Sequence, residues 1–204
     1  MPDPGSDRAT KEWWRMRILT ARRALSDEDR AREADAVERA LLESNLVRTA
    51  RTVCAYVPTR TEPGSPRLLE TLAAQGIRVL LPVVVGAGPL DWAPFAGSDA
   101  LQVGAAGMRE PTTARLGPDA VATADLVLVP ALAVDSSGVR LGRGAGHYDQ
   151  TLPKVRPGVP LAALLRDSEF VEALPAERHD VPVTVVVTTK PAIVQVGPPA
   201  TRPR

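Results

Sequence analysis

The chain has 204 residues, 44% of them hydrophobic, which suffices for one domain with a sizeable core. Its 25 Lys and Arg stand against 24 Asp and Glu, so the net charge of +1 offers no global field to nucleic acid or a membrane surface, and any anion site must be local. Cys54 is the lone cysteine, the first ten residues carry no apolar core like that of a signal peptide, and no apolar run approaches the roughly 18 residues of a membrane span, so disulfides within the chain and thiolate zinc sites are excluded and a soluble cytoplasmic protein is expected.

In chain order, residues 9–25 read as a helix with Trp14, Ile18, Ala21 and Leu25 on one stripe. At about 100° per residue, Lys11, Arg15 and Arg22 fall in a narrow arc bordering that stripe. They form either a solvated basic flank or a row of cations along the edge of a docked helix. A second helix is expected from an N-cap at Ser26, with Asp29 in the place of a capping-box acid, running through Val37 and Leu41. The run RTVCAYV, 51–57, reads as a strand in which Cys54 is a small buried hydrophobe. After a loop containing Glu62, a helix is marked by Ser65 as N-cap, Pro66 at its first position and Gly76 beyond its end.

The run IRVLLPVVV, 77–85, is a buried strand candidate, and the prolines around Leu90, Trp92 and Phe95 suit an edge strand. The segment ADLVLVPALAV, 124–134, is the most apolar strand candidate and delivers the chain to GVRLGRGAGHYD, 138–149. A short helix near 146–152 and strands at 159–165 and 181–188 follow. This alternation predicts an α/β fold, a three-layer sandwich whose largely parallel central sheet is flanked by helices, with ligands beyond the carboxyl ends of the strands. Residues 1–189 are expected to form this single domain, and 190–204, with four prolines, a mobile tail.

In the 138–149 block, glycines 142, 144 and 146 alternate directly after the apolar run. Such a turn can aim several N–H groups at one anion, helped by Arg140, Arg143 and the dipole of the following helix, and a phosphate fits this description. An ordinary glycine-rich connection fits as well. Neither GxxxxGK[ST] nor GxGxxG is present.

Taken together, Lys11-x-x-Trp14-Arg15, AYVPTRTE at 55–62, LLPVV at 80–84, GMREP at 107–111, the long block 128–152 and RHDVPVTVVVT at 178–188 resemble, in order, the 5-formyltetrahydrofolate cyclo-ligase family. The resemblance spans roughly residues 10–189 and implies closure of 5-formyltetrahydrofolate, with or without a polyglutamate tail, to 5,10-methenyltetrahydrofolate, with ATP as co-substrate and Mg2+. It implies that Lys11 and Arg15, with Arg22 assisting, contact ATP phosphates. Gly142, Arg143, Gly144, Ala145 and Gly146 would form the phosphate loop, with Arg140, His147 and Tyr148 beside it. Arg143 and Asp149 would be the catalytic pair, Asp149 also holding the metal. Glu62 would contact the folate, and Tyr56, Trp92, Met108 and Tyr148 would form the walls around its rings. Glu110-Pro111 would order a nearby loop. His179-Asp180 would lead into the last strand rather than ligate a metal. A monomer is expected, with no nucleic-acid or membrane partner.

Three positions depart from the family pattern: Ala145 stands where Gly or Lys is usual, His147 where an aromatic is usual, and Thr184 where an Asp often assists the metal. His147 would place a pH-sensitive group near the phosphates. These departures leave open an alternative, a weakly active or inactive paralogue that binds folate or nucleotide as a regulatory protein.

Overall fold

Alternating side chains in five short strands build a sheet with two chemically distinct faces, and those faces dictate what packs where. The computed structural model describes residues 10–104, 107–177, 180–190 and 192–197. In chain order the elements are α1 (Lys11–Ala24), α2 (Asp27–Leu42), α3 (Asn45–Arg48), β1 (Thr52–Cys54), α4 (Arg67–Ala74), β2 (Arg78–Val83), β3 (Asp91–Pro94), β4 (Leu101–Val103), β5 (Arg109–Pro111), β6 (Leu126–Val129), β7 (Ala133–Asp135), β8 (Arg140–Leu141), α5 (His147–Thr151), β9 (Leu161–Leu164), β10 (Phe170–Val171), β11 (Val185–Thr188) and β12 (Ala192–Gln195). The central sheet has seven strands in the order β12-β11-β9-β6-β1-β2-β3. Its five inner strands are parallel and its two edge strands antiparallel to their neighbours.

Val53, Leu81, Leu126, Leu128, Ala162, Leu164, Val185 and Val187 face one side, where Val37 and Leu41 of α2 and Leu68, Leu69 and Leu72 of α4 cover them. Cys54, Leu80, Val127, Val129, Ala163 and Val186 face the other side and meet Trp92, Val121 and Leu152. This is the period-two pattern of strands buried on both faces. The three-layer α/β sandwich is therefore present, with a thinner second outer layer made of 3-10 turns and the five-residue α5. No helix among the described residues is long and apolar enough to cross a membrane.

Several elements differ from the expectation. The run 124–134 is two strands in two sheets, because Pro130 offers no N–H and the chain leaves the central sheet there for a three-stranded sheet, β10-β7-β8. Helix α1 is turned relative to the expected stripe. Ile18 and Arg22 are buried whereas Ala21 is exposed, so the face turned to the body carries Lys11, Arg15, Ile18 and Arg22. Part of the expected tail is structured, since β12 pairs with β11 from Val185↔Gln195 to Thr188↔Ala192; residues 198–204 lie outside the described residues. The Ser26 cap forms, with its Oγ accepting from Asp29 N and donating to Asp29 Oδ2, so the acid meets the capping hydroxyl rather than the cap backbone.

Candidate active site

The parallel strands β1, β2 and β6 end on a common side, and a cavity of about 350 Å³ opens beyond them. Tyr56, Val57, Thr59 and Glu62 line it after β1, Pro82 from β2 itself, and Pro130, Ala131 and Leu132 after β6. The glycine loop, Met108 to Glu110 and the first turn of α1 complete the walls. This is the place where open parallel sheets bind ligands.

The loop owes its shape to a turn just before it. The Asp135 carboxylate is buried, its Oδ1 accepting from Ser137 N, Ser137 Oγ and Val139 N and its Oδ2 from Leu174 N. Gly138 has a φ of 88°, and a Cβ there would lie 2.4 Å from Val183 O. Further on, Gly144 and Gly146 have φ values of 102° and 74°. Gly142 is small for a different reason: a Cβ would meet Arg140 Nη1 at 2.8 Å. Among the described residues, the N–H groups of Arg143, Gly144, Ala145 and Gly146 donate to no protein acceptor. Helix α5 begins at His147 and is only five residues long, so the dipole expected at this point is small.

Cations surround the loop in three different states. Arg15 donates through Nε to Gly142 O at 3.0 Å, its guanidinium lies against Gly144, and it has no acidic partner among the described residues. Lys11 Nζ lies 3.0 Å from Glu177 Oε1 and 2.9 Å from Asp180 Oδ2. Burial pulls its pKa down, but the hydrogen bonds to Asp180 and Glu177 outweigh that and leave it above the ordinary lysine value of 10.5. Arg143 is more than half exposed and reaches Glu62 Oε1 at 3.3 Å and Thr59 Oγ1 at 3.4 Å.

Arg140 is not a free cation at the loop. It is buried, donates to Asp149 Oδ1 at 2.8 Å and Pro130 O at 3.3 Å, and lies over the Tyr148 ring. Asp149 keeps a partly exposed carboxylate on the cavity while Arg140 holds one of its oxygens. Glu62 is fixed from two sides, since its Oε2 accepts from Thr59 N at 2.8 Å while Oε1 faces Arg143. Tyr56 and Tyr148 both line the cavity, and burial pushes both phenol pKa values up, so each hydroxyl keeps its proton. The Tyr148 hydroxyl is buried without a partner among the described residues. His147 lines the cavity with Nδ1 2.9 Å from Gly88 O, and because a carbonyl only accepts, that nitrogen carries the proton.

Lys11, Arg15, Tyr56, Glu62, Met108, Arg140, the loop 142–146, His147, Tyr148 and Asp149 thus converge on one cavity. Trp92 does not. Its side chain on β3 points into the second core cluster and is fully buried, which removes it as a ring wall. Arg22 also leaves the expected set, because it is 1% exposed and paired bidentately with Glu169. Thr184 is away from the cavity too, its Oγ1 accepting from Leu161 N at the start of β9, so its departure from the family pattern does not touch the loop. His179 lies outside the described residues. The residues that sequence reasoning missed are Glu177 and Asp180, which meet Lys11 from 166 or more positions away in the chain; Asp180 lies in the 178–188 block, whereas Glu177 stands just before it and carried no signal.

The 5-formyltetrahydrofolate cyclo-ligase family model matches residues 7–189. A protein from Mycolicibacterium smegmatis named 5-formyltetrahydrofolate cyclo-ligase is 45% identical over 190 residues, covering 91% of this chain and 96% of its own. One of the same name from Escherichia coli is 30% identical over 178 residues, covering 84% and 96%. Among solved structures, the 5,10-methenyltetrahydrofolate synthetase of Aquifex aeolicus superposes with a TM-score of 0.79 at 28% identity, covering 95% of this chain and 96% of that one.

Proposed function

The chain belongs to the 5-formyltetrahydrofolate cyclo-ligase family, and on that premise we propose that its cavity closes 5-formyltetrahydrofolate to 5,10-methenyltetrahydrofolate at the expense of ATP. Family membership makes it an enzyme, a 5-formyltetrahydrofolate cyclo-ligase. The observation that carries the detailed reading is the division of one cavity into two chemically different ends. One end has four unspent loop N–H groups beside Arg15 and Lys11; the other has the doubly held carboxylate of Glu62 beside Tyr56, Tyr148 and Met108.

The loop N–H groups and Arg15 would cradle the triphosphate, which competes with Glu177 and Asp180 for Lys11. Glu62 accepts N–H bonds from the pterin edge, and the apolar walls take the rings. The formyl group of the substrate is amide-like, so its carbon is a poor electrophile and its oxygen a poor leaving group. The formyl oxygen attacks the γ-phosphorus, ADP departs, N10 adds to the activated carbon and gives up its proton, and inorganic phosphate leaves with the former formyl oxygen and takes up that proton. Atoms balance as 5-formyltetrahydrofolate and ATP giving 5,10-methenyltetrahydrofolate, ADP and phosphate. The protein's share is to align the two substrates and neutralise charge as it moves, and Arg143, standing between the two ends, suits that task.

A magnesium ion fits the donor set as a passenger on ATP. Such a hard cation needs only one or two protein carboxylates besides phosphate oxygens and water, and Asp149 offers one on the cavity. When bound it supplies charge neutralisation to the phosphates. The route is tested with substrate carrying 18O in the formyl group. Recovery of the label in inorganic phosphate is expected; label retained in the folate or released as water would contradict it.

A further inference from the structure

Outside the lining of that cavity, four charged side chains form a network in which Arg22, Arg166 and Glu169 are buried and Glu33 is partly exposed. Glu169 is 3% exposed, and both of its oxygens are shared between two arginines. Its Oε1 accepts from Arg22 Nε at 2.7 Å and from Arg166 Nη1 at 3.4 Å, and its Oε2 from Arg22 Nη2 at 2.8 Å and Arg166 N at 3.0 Å. Each arginine then continues to a different wall. Arg22 Nη2 also donates to Ala131 O at 2.9 Å, and the next residue, Leu132, donates its N–H to Leu141 O at 2.7 Å, immediately before Gly142. Arg166 donates to Thr61 O at 3.1 Å, next to Glu62, and its Nε pairs with Glu33 Oε2 of α2 at 2.5 Å.

We propose that Glu169 is a positioning residue that couples the two ends of the active site, setting the phosphate loop through Arg22 and the folate loop through Arg166. The inference rests on the reading of the cavity given above. Burying charge is expensive, and a pair of apolar side chains would hold a core at least as well. What apolar side chains cannot do is hold two backbone carbonyls, Ala131 O and Thr61 O, from two distant segments of the chain at set positions through one carboxylate. Arg22 also shares the inward face of α1 with Lys11 and Arg15, so its anchoring fixes the rotation at which those two cations meet the loop. Effective alignment is sensitive to displacements of about 1 Å, so small shifts in these carbonyls reach the chemistry.

The network has two arms, and they can be cut separately. Arg166→Lys keeps the charge but not the fork that spans Glu169, Glu33 and Thr61 O. It should raise KM for 5-formyltetrahydrofolate about fivefold to tenfold and leave KM for ATP within about twofold. Arg22→Lys should do the reverse, and Glu169→Gln should raise both. Thermal midpoints and circular dichroism establish which variants are folded at the assay temperature, and where Glu169→Gln is not, the two lysine variants decide. Equal shifts of both KM values in the two lysine variants would overturn the proposal, as would unchanged KM values accompanied only by a lower midpoint. Dissociation constants for ATP and for 5-formyltetrahydrofolate, measured by calorimetry on the same proteins, keep this test separate from the functional reading: a wild type without turnover sinks the latter, while the opposed affinity shifts still decide the former.

Discussion

Glu62 shows how much a single side chain owes to its fold. As an isolated loop acid it carries no signal, yet here it is held by Thr59 N–H and faced by Arg143 across the cavity. Glu62→Gln keeps the shape and removes the charge, and it should raise KM for the folate about tenfold with KM for ATP little changed, measured by steady-state kinetics; an unchanged folate KM would take Glu62 out of the site. Trp92 runs the other way. It was expected as a ring wall because an aromatic near a folate motif invites that reading, but strand alternation turns it into the core, where its Nε1 is buried without a partner among the described residues. Trp92→Phe should therefore lower stability by about 1–3 kcal/mol, through lost volume, and leave both KM values unchanged. Cys54 matches the expectation from its apolar context. Burial pushes its thiol up to about 12, so alkylation at pH 8 should require denaturant.

At the scale of elements, the glycine block was legible as a loop but not as two devices joined in series. Gly138 belongs to a structural turn built on the Asp135 carboxylate, where a side chain would be both strained and in collision with Val183 O. Gly138→Ala is expected to cost about 2–3 kcal/mol in a denaturant titration. Gly142 instead leaves room for the flexible end of Arg140, which holds Asp149. Gly142→Ala should cost little stability and reduce turnover by displacing that pair, and comparable losses of stability in the two variants would contradict the division. Spacing alone does not separate these roles, because the difference lies in what approaches from elsewhere in the chain. Helix α1 carries the same lesson. The basic residues share one arc, as their spacing implies, but the deciding partners, Glu169 for Arg22 and Asp180 with Glu177 for Lys11, sit far along the sequence.

At the scale of the whole molecule, the parallel strands and the helices covering one face were readable from periodicity, because strands buried on both sides are continuous apolar runs. The break at Pro130 and the return of β12 to the sheet edge were not, since both depend on which strands lie beside them. Charge placement sets the pH range of the fold. The Asp125 carboxyl is held below its ordinary 3.8 by the N–H groups of Arg51 and Thr52, so its contribution is present above pH 3.8 and is lost as pH falls through the lower folded value. Lys11, raised above 10.5, contributes fully below that pH and loses its share as pH rises through the higher folded value. In a thermal-midpoint series these two groups should therefore add no slope between those limits, Asp125 adding a loss on the acid side and Lys11 on the alkaline side. Asp125→Asn should soften the acid limb only slightly, because the carboxylate is partly exposed. The central claim is that one cavity joins ATP to 5-formyltetrahydrofolate, and the most direct measurement is absorbance in the methenyl-folate band after mixing the protein with 5-formyltetrahydrofolate, ATP and magnesium. A rise that requires ATP and disappears on magnesium chelation is the predicted result; no rise from folded protein, or a rise without ATP, would contradict the account.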